Sequence, residues 1–325
     1  MDIELLVQDS KTGKAWDLSE LAGPITWTTE LSNQPGKLTF SYIEDKDVDF
    51  GEGSVVRLKV DGQNVFYGYV FSHGRTESYK ITITAFDSMR YLKNKDTYVI
   101  SGMTASDIFT KLCKDFNLPY TVTNSASYKI SNRVFDNKSL FEIMETAIDE
   151  TLIYTGKWFQ VRDNFGKLQF VDLNSRKTTV VIGDESLLKS YSFESSIDSD
   201  TYNQVKLVQE NKTSKKREAY IQKDSSTIKQ WGVLQYFETM DENANAAQIK
   251  ERAKMLLKLK NRVTKTLRLE CIGNLSVSSG SGIVLSISDL LREGVTVNEY
   301  FLVTSCTHTF ENHKHSMSLE VQVSI

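Results

Sequence analysis

The sequence predicts an α+β fold rich in β-strand: two β units, an α+β insert between them, and one long helix in the second β unit. Three observations predict it. Residues 1–92 and 191–325 consist mostly of short runs in which apolar and polar residues alternate, and turn residues end these runs. Residues 93–190 mix such runs with two helix-start signals. Residues 231–273 hold the longest amphipathic pattern of the chain.

The first β unit, residues 1–92, contains the clearest hairpin signal. Asp61-Gly62 stands between two β-rich runs, 55–60 and 63–70, and such a dipeptide favours the tight turn of a two-stranded hairpin. Several short strands at this spacing, joined by tight turns, are typical of a small barrel or a sandwich. Both arrangements fit the pattern.

The middle unit differs from the first because helix starts appear between its strands. Thr104 and Asp107 stand at near-capping-box spacing before an apolar stripe. Ser139 and Glu142 have capping-box spacing at a second stripe. A hydroxyl and a carboxylate placed in this way can satisfy the free amides of a helix start. The middle unit is therefore predicted to be an α+β insert.

The second β unit carries the long helix, at about 241–261. Thr239 and Glu242 have capping-box spacing, and Asp241 adds negative charge at the positive end of the helix dipole. Basic residues gather toward the other end. One apolar stripe repeats at three-to-four spacing, formed by Ala246, Ile249, Ala253, Leu256 and Leu257. We expect this helix to pack against a sheet or a barrel end.

The rest of the second unit is predicted to consist of strands. Residues 275–287 are predicted to form a strand, a Gly-Ser loop and another strand, and residues 301–323 a long closing hairpin. The two β units are similar in size and style, although no repeat of fixed period occurs. A diverged duplication is a hypothesis at this point.

Composition narrows the possible functions. A chain of 325 residues is long enough for two or three domains, and its net charge of −3 gives no overall basic field for nucleic acid or an anionic membrane. No apolar stretch is long enough for a membrane span, and the N-terminus lacks the features of a secretory signal. The cysteines are widely spaced in apolar patterns, which predicts buried free thiols at Cys113, Cys271 and Cys306.

Three histidines in the closing hairpin raise the question of a metal site. His308, His313 and His315 could chelate zinc if strand pairing brought them together, but no HExxH or paired-cysteine spacing supports them. His313 and His315 flank the expected turn, so solvated turn histidines are the favoured interpretation. No metal-ligating or cofactor-binding residue is assigned, and no cofactor is predicted.

The remaining candidates for chemistry are weaker. The acidic pairs fit neither a calcium loop nor a recognisable catalytic dyad, and surface loops are predicted for Asp47, Asp49, Asp198 and Asp200. The basic residues of the long helix are interleaved with Glu251, which is typical of a solvated helix face and not of a nucleic-acid contact. No catalytic residue is assigned. An interaction protein fits these patterns better than an enzyme.

Several stretches, in order along almost the whole chain, carry a resemblance to a known family. They are DGQNVFYGYV (61–70), TAFDSMRYL (84–92), SDIFTKLCKDFNLPY (106–120), DNKSLFEIMETAIDET (136–151), TGKWFQVRDNFGKLQF (155–170), DSDTYNQVKL (198–207), residues 231–263, LECIGN (269–274) and CTHTFENHKHSMSLEV (306–321). Together they resemble the tail hub proteins of contractile phage tails. The likeness is closest to the PBSX-prophage type, found in defective prophages and tail-like bacteriocins, and related in architecture to type VI secretion spike proteins.

The resemblance implies a fold and a structural role. Such hubs carry two β-barrels like those of tail tube subunits, and three copies form a ring. Six barrels then match a six-fold tube, while the other face of the ring receives a three-fold spike. A homotrimer, the tail tube protein and spike or other baseplate proteins are the implied partners, with no nucleic-acid binding and no membrane insertion. The implied location is the bacterial host cytoplasm during assembly, then the baseplate of a virion or tail-like particle.

Two other classes of function remain open from the residues alone. One is a cell-wall or metal-dependent hydrolase associated with a phage tail, hidden in the α+β insert. However, we recognise no appended lysozyme or peptidase region, so a structural protein is expected. The other is a nucleic-acid-binding module that uses the basic helix face, which salt-sensitive binding would reveal. Neither has a sequence motif behind it.

Overall fold

The first β unit is antiparallel throughout. The computed structural model describes residues 1–32, 34–198, 200–211, 216–240, 245–293, 295 and 299–322. The strands of the first unit are β1 (Ile3–Gln8), β2 (Ala15–Asp17), β3 (Ile25–Glu30), β4 (Lys37–Ile43), β5 (Val55–Val60), β6 (Gln63–Arg75) and β7 (Lys80–Phe86). The predicted hairpin is confirmed: Asp61 (φ 48°) and Gly62 (φ 73°) join β5 to β6 with the positive φ angles of a type I′ turn.

The middle unit contains two helices, as its two helix-start signals predict, and five strands. They are β8 (Lys95–Ile100), α1 (Ala105–Asp115), β9 (Tyr120–Val122), β10 (Arg133–Ser139), α2 (Leu140–Thr155), β11 (Phe159–Asp163) and β12 (Leu168–Asp172). Both predicted capping boxes are confirmed. Thr104 exchanges hydrogen bonds with Asp107 at the start of α1, and Ser139 does so with Glu142 at the start of α2. The apolar faces of both helices enter one core with Phe159 and other apolar residues of this unit.

The contribution of the α2 cap to stability can be tested by mutation. We expect Ser139→Ala to lower the free energy of unfolding by about 1 kcal/mol, because the Glu142 amide loses its hydroxyl acceptor. Urea unfolding followed by circular dichroism measures the change. Ser127→Ala in an exposed loop is the matched control and should leave the midpoint unchanged. Equal midpoints for the two variants would contradict a contribution of the cap.

The described residues of the last part of the chain add nine strands and two helices. They are β13 (Lys177–Gly183), β14 (Leu188–Ser196), β15 (Gln204–Asn211), β16 (Lys216–Lys223), α3 (Ser225–Trp231), β17 (Gln235–Thr239), α4 (Ala246–Lys260), β18 (Thr264–Ile272), β19 (Gly282–Ser286), β20 (Tyr300–Glu311) and β21 (Lys314–Gln322). The closing hairpin is confirmed as β20 and β21. The strand predicted before the Gly-Ser loop is wrong, because residues 274–281 form a succession of turns.

The long helix starts later than the sequence predicts. Thr239 is the last residue of β17, and the helix begins at Ala246, where Asn245 and Gln248 form the capping box. Asp241 and Glu242 lie outside the described residues. Both spacings satisfy the capping rule, but Thr239 is held in the parallel pairing of β17 with β15, which leaves Asn245 as the cap.

The long helix packs against a sheet, as predicted, but this sheet is separate from those of the second β unit. Its stripe lies on the three-stranded sheet β16-β15-β17, where Ile249, Ala253 and Leu256 form a separate small core with Val205 and Leu207. It also packs against α2 of the middle unit. The helix therefore belongs to an α/β layer inserted between β14 and β18, and not to the core of the second β unit. Among the described residues no helix is long and apolar enough to cross a lipid bilayer.

One large sheet joins both β units. Its thirteen strands follow the order β14-β18-β21-β20-β3-β4-β7-β6-β5-β1-β2, and β19 and β13 extend it from β20. The units meet where β3 pairs with β20, here called the seam. One buried core lies in each unit, and Phe310 of β20 contributes to the core of the first unit across the seam. The predicted boundary at residue 190 differs from this arrangement, because β13 and the start of β14 pair within the large sheet.

The two units share an order of strands. In the first unit, five successive neighbours in the sheet are β3-β4-β7-β6-β5, and in the second they are β14-β18-β21-β20-β19. When the five strands of each set are numbered in chain order, both sets run first, second, fifth, fourth, third across the sheet. A sixth strand flanks each set, although β1 is antiparallel to β5 while β13 is parallel to β19. This common order supports the hypothesis of a diverged duplication.

Candidate functional site

The closing hairpin holds a buried pair of histidines. His308 is fully buried, and its Nδ1 lies 2.8 Å from Nε2 of His315 on the neighbouring strand. Nε2 of His308 lies 2.9 Å from the carbonyl oxygen of Val277, so this nitrogen carries the proton and donates it. His315 then donates its Nε2–H to His308. The prediction of solvated histidines is therefore wrong for His308 and for the half-buried His315, while His313 is exposed in the turn.

The environment keeps both imidazoles neutral. Burial lowers the pKa of His308 to about 4, although the hydrogen bond to the Val277 carbonyl opposes this shift. Burial also lowers the pKa of His315. The neutral rings stack on aromatic neighbours: His308 on Trp27 across the seam, with ring centroids 5.1 Å apart, and His315 on Phe310 at 4.5 Å. The pair thus ties β20 to β21 and to the loop at Val277 by hydrogen bonds, and it packs against β3 through Trp27.

The other candidates for chemistry stand apart. Within the described part of the chain, no group of three or more His, Cys, Asp or Glu side chains has a geometry that could hold a metal ion. The acidic residues Asp47, Asp49, Asp198 and Asp200 are all exposed, as predicted. Asp200 accepts an ion-pair contact from Lys260 at 2.6 Å. These carboxylates therefore lie on surface loops and do not form a joint site.

The cysteines are free and buried, as the sequence predicts. Burial raises the pKa of the Cys113 and Cys271 thiols to about 12, and it raises the pKa of Cys306 as well. A thiol attacks as its thiolate, so these side chains are unreactive near neutral pH. Their surroundings make them packing residues.

The basic face of the long helix is partly paired. Arg252 donates to both carboxylate oxygens of Glu238, at 3.0 and 3.2 Å, and Lys260 pairs with Asp200. Lys250, Lys254 and Lys258 are exposed. The ion pairs fix the helix on its sheet, while the exposed lysines form the solvated face that the sequence predicts.

A polar junction between three parts of the fold was missed by the sequence analysis. The loop 274–281 lies between both β units and the middle unit. Arg176 reaches into this loop and donates to the carbonyl of Ser279 at 2.8 Å, to the Ser278 hydroxyl at 2.8 Å and to Gln160 Oε1 at 2.7 Å. The Ser279 amide donates to Thr29 of β3 at 3.0 Å. The available signal was the run SSGSG (278–282), whose three serines are buried although serine usually faces solvent.

A buried carboxyl lies beside this junction. Asp87 accepts hydrogen bonds from the amides of Gly36 at 2.9 Å and Met89 at 3.0 Å. Burial raises the pKa of Asp87 well above its usual value, and the nearby Asp163 raises it further. The two amides and Arg162 oppose that shift. The side chain ties the loop before β4 to the start of the middle unit.

A profile of known proteins now identifies the family. It matches residues 25–322 and describes YQBQ-like proteins. The chain belongs to the YQBQ-like family. Its relatives in Bacillus subtilis strain 168 include the protein YqbQ, 35% identical over 275 residues, and the phage-like element PBSX protein XkdQ, 31% identical over 275 residues. Each alignment covers 83% of this chain and 81% of the relative. The predicted likeness to PBSX-type proteins is confirmed.

Solved structures show the same fold. The 43 kDa tail protein of prophage MuSo2 from Shewanella oneidensis has a TM-score of 0.71 at 13% identity, over 98% of both chains. A Francisella PdpA–VgrG complex contains a chain with a TM-score of 0.58 at 13% identity, over 99% of this chain and 57% of the other. The β-rich fold with few helices and large antiparallel pairings is thus that of phage tail proteins, as predicted. The prediction of a structural protein and not an enzyme agrees with these relatives.

Two strand edges of this YQBQ-like protein are exposed. Among the described strands, none pairs with the outer edge of β14, and most of its side chains are exposed. The end of β6, residues 72–75, is likewise exposed and is paired by β7 on one edge alone. At the opposite end of the large sheet, residues 15–19 cover β1. These two open edges form the candidate assembly site.

Proposed function

We propose that this chain is the tail hub of a phage or tail-like particle, forming a trimeric ring that joins a six-fold tail tube to a three-fold spike. The observation that carries the proposal is the pair of β units with one common strand order in a single chain. Three copies of such a chain present six similar units in a ring, which is the symmetry that a six-fold tube requires. A chain with a single unit could not match three-fold to six-fold symmetry in this way.

The comparisons support the proposal at the level of fold and family. One similar protein is named for a phage-like element, and similar structures include a prophage tail protein and a complex that contains VgrG. We propose that a spike or other baseplate protein binds one face of the ring and the tube protein the other. Assembly would take place in the bacterial cytoplasm before the hub enters the baseplate. No observation favours the hydrolase alternative.

The proposal predicts a native mass of about 111 kDa, three times the 36.9 kDa of the chain. Light scattering measures it, first for the protein alone and then with the tube and spike proteins encoded beside it. A trimer, or a stoichiometric complex with either partner, supports the hub. A chain that stays at 36.9 kDa at every concentration and binds neither partner would contradict it.

A further inference from the structure

The two β units correspond residue by residue across four strands. In each unit, one row of directly paired residues, here called a rung, crosses four neighbouring strands of the sheet. In the numbering of the common order, the rung crosses the first, second, fifth and fourth strands in turn. The rungs are Trp27–Leu38–Ala85–Val70 in the first unit and Phe193–Leu267–Val321–Val303 in the second. An aromatic residue begins each rung and a valine ends it. These rungs align β3 with β14 and β6 with β20.

Backbone details beside the rungs confirm the alignment. In both units the register shifts by one residue immediately after the valine, at Phe71 in β6 and at Thr304 in β20. In both units, the amide of a glycine donates a hydrogen bond to the carbonyl of that valine at 2.8 Å: Gly53 to Val70, and Gly280 to Val303. Gly53 stands just before β5, and Gly280 just before β19. The two glycines have nearly equal φ angles, +83° and +80°. The correspondence therefore extends to single bulges and turns.

The seam inside the chain uses one strand from each unit. β3, the first of the five strands of the common order in the first unit, pairs antiparallel with the end of β20 just after its bulge. In this pairing Trp27 stands opposite His308 and Thr29 opposite Cys306. The end of β20 is free to accept β3 because β19 pairs with the beginning of β20 alone.

The corresponding strands at the other ends are both open. β14 corresponds to β3, and its outer edge pairs with no described strand. Residues 72–75 of β6 correspond to 305–308 of β20, and β5 pairs with the beginning of β6 alone. Among its described strands, each chain thus has two unpaired edges, β14 and residues 72–75 of β6, and each edge supplies one of the two strands that a second seam needs. These two edges are not paired with each other within the chain, so each is available to another copy.

We infer that β14 of one copy pairs antiparallel with residues 72–75 of β6 in the next copy, and that this repeats the internal seam between chains. The inference rests on the proposed ring of copies and specifies its interface. Carried over from the internal seam, the register places Phe193 opposite Arg75 of the next copy, Glu194 opposite Gly74, Ser195 opposite His73 and Ser196 opposite Ser72. The contact is head-to-tail, as a closed ring requires.

The chemistry of the two edges fits this pairing. An exposed nine-residue edge strand offers unpaired amides and carbonyls, and another strand satisfies them by adding to the sheet. Arg75 would take the place that His308 has against Trp27 and would face the ring of Phe193, a cation–π arrangement. Arg75 is already held at the end of its strand by Glu44, with Nη2 2.8 Å from Oε2. No proline interrupts either edge.

A disulfide test reads the register directly. In Ser195→Cys with His73→Cys, the two thiols come from directly opposed positions of neighbouring copies, where Cα separations of about 4.5–5.5 Å suit a disulfide. Mild oxidation should link the chains into dimers and trimers on a denaturing gel. The matched control is Ser195→Cys with Ser72→Cys. Its thiols are one residue out of register and point to opposite faces of the sheet, so it should stay unlinked. The native cysteines are buried and do not interfere.

The outcomes separate this inference from the function on which it rests. Cross-linked trimers in the matched variant and not in its control support the pairing. Absence of cross-links in a protein that is trimeric by light scattering overturns the pairing but leaves the hub intact, since the ring must then use other surfaces. Equal cross-linking in both variants also overturns the register. A protein that is monomeric, unlinked and without tube or spike partners contradicts both.

Discussion

Gly280→Ala should lower the free energy of unfolding by about 3 kcal/mol. A Cβ at this position would lie 2.1 Å from Oε1 of Gln160 and 3.0 Å from Nη1 of Arg176. The buried Gln160 side chain must then move, which breaks its hydrogen bond with Arg176 and loosens the polar junction. The positive φ of +80° adds the strain of a left-handed residue that has a side chain. Urea unfolding followed by circular dichroism measures the loss.

The duplicated fold supplies a matched control. Gly53 occupies the corresponding turn of the first unit with φ +83°, and no heavy atom lies within 4 Å of the Cβ that alanine would add there. Gly53→Ala therefore introduces the same backbone strain without the clash, and we expect a loss of about 1 kcal/mol. Equal losses for the two variants would mean that the junction adjusts without cost, and the role given to Gln160 and Arg176 would be wrong.

Local features of this fold were predictable from the sequence. The caps at Thr104 and Ser139 and the turn at Asp61-Gly62 act on neighbours within four residues, so their residues specify them. The cap of the long helix was misplaced because two sequences with capping-box spacing lie close together. What decides between them is the pairing of Thr239 in β17, a contact with a strand some thirty residues away.

The features that matter most for assembly depend on distant contacts. The common order of strands is invisible to a search for a fixed-period repeat, because an α/β layer separates β14 from β18 in one unit and has no counterpart in the other. The histidine pair left a fainter signal. Cys306, His308 and Phe310 alternate along β20, which places the histidine on the same face as two apolar residues. Weighing that alternation would have favoured a buried His308 over a solvated one.

The burial of His308 leads to a prediction of how the free energy of unfolding depends on pH. The pKa of His308 is lowered to about 4 by burial, against an unperturbed value of about 6.5, so the unfolded chain binds a proton more readily than the folded chain. Its contribution to stability is fully present above pH ~6.5 and is lost as pH falls toward 4. The loss over this range is about 3 kcal/mol, or about 1.4 kcal/mol per pH unit. Protonation would place a second N–H against the Nε2–H of His315.

Comparing how the free energy of unfolding depends on pH in the wild type and in a variant separates the contribution of His308 from that of the carboxyl groups. Buried Asp87, whose pKa is raised, contributes with the opposite sign, because its stabilisation is lost as pH rises above its unfolded pKa. The test is therefore the difference between the wild type and His308→Gln, whose amide can still donate to the Val277 carbonyl. Urea unfolding between pH 6.5 and 4.5 should show a slope smaller by about 1.4 kcal/mol per unit in the variant. His313→Gln in the exposed turn should keep the wild-type slope. If His308→Gln also keeps it, the imidazole is not held neutral at the seam.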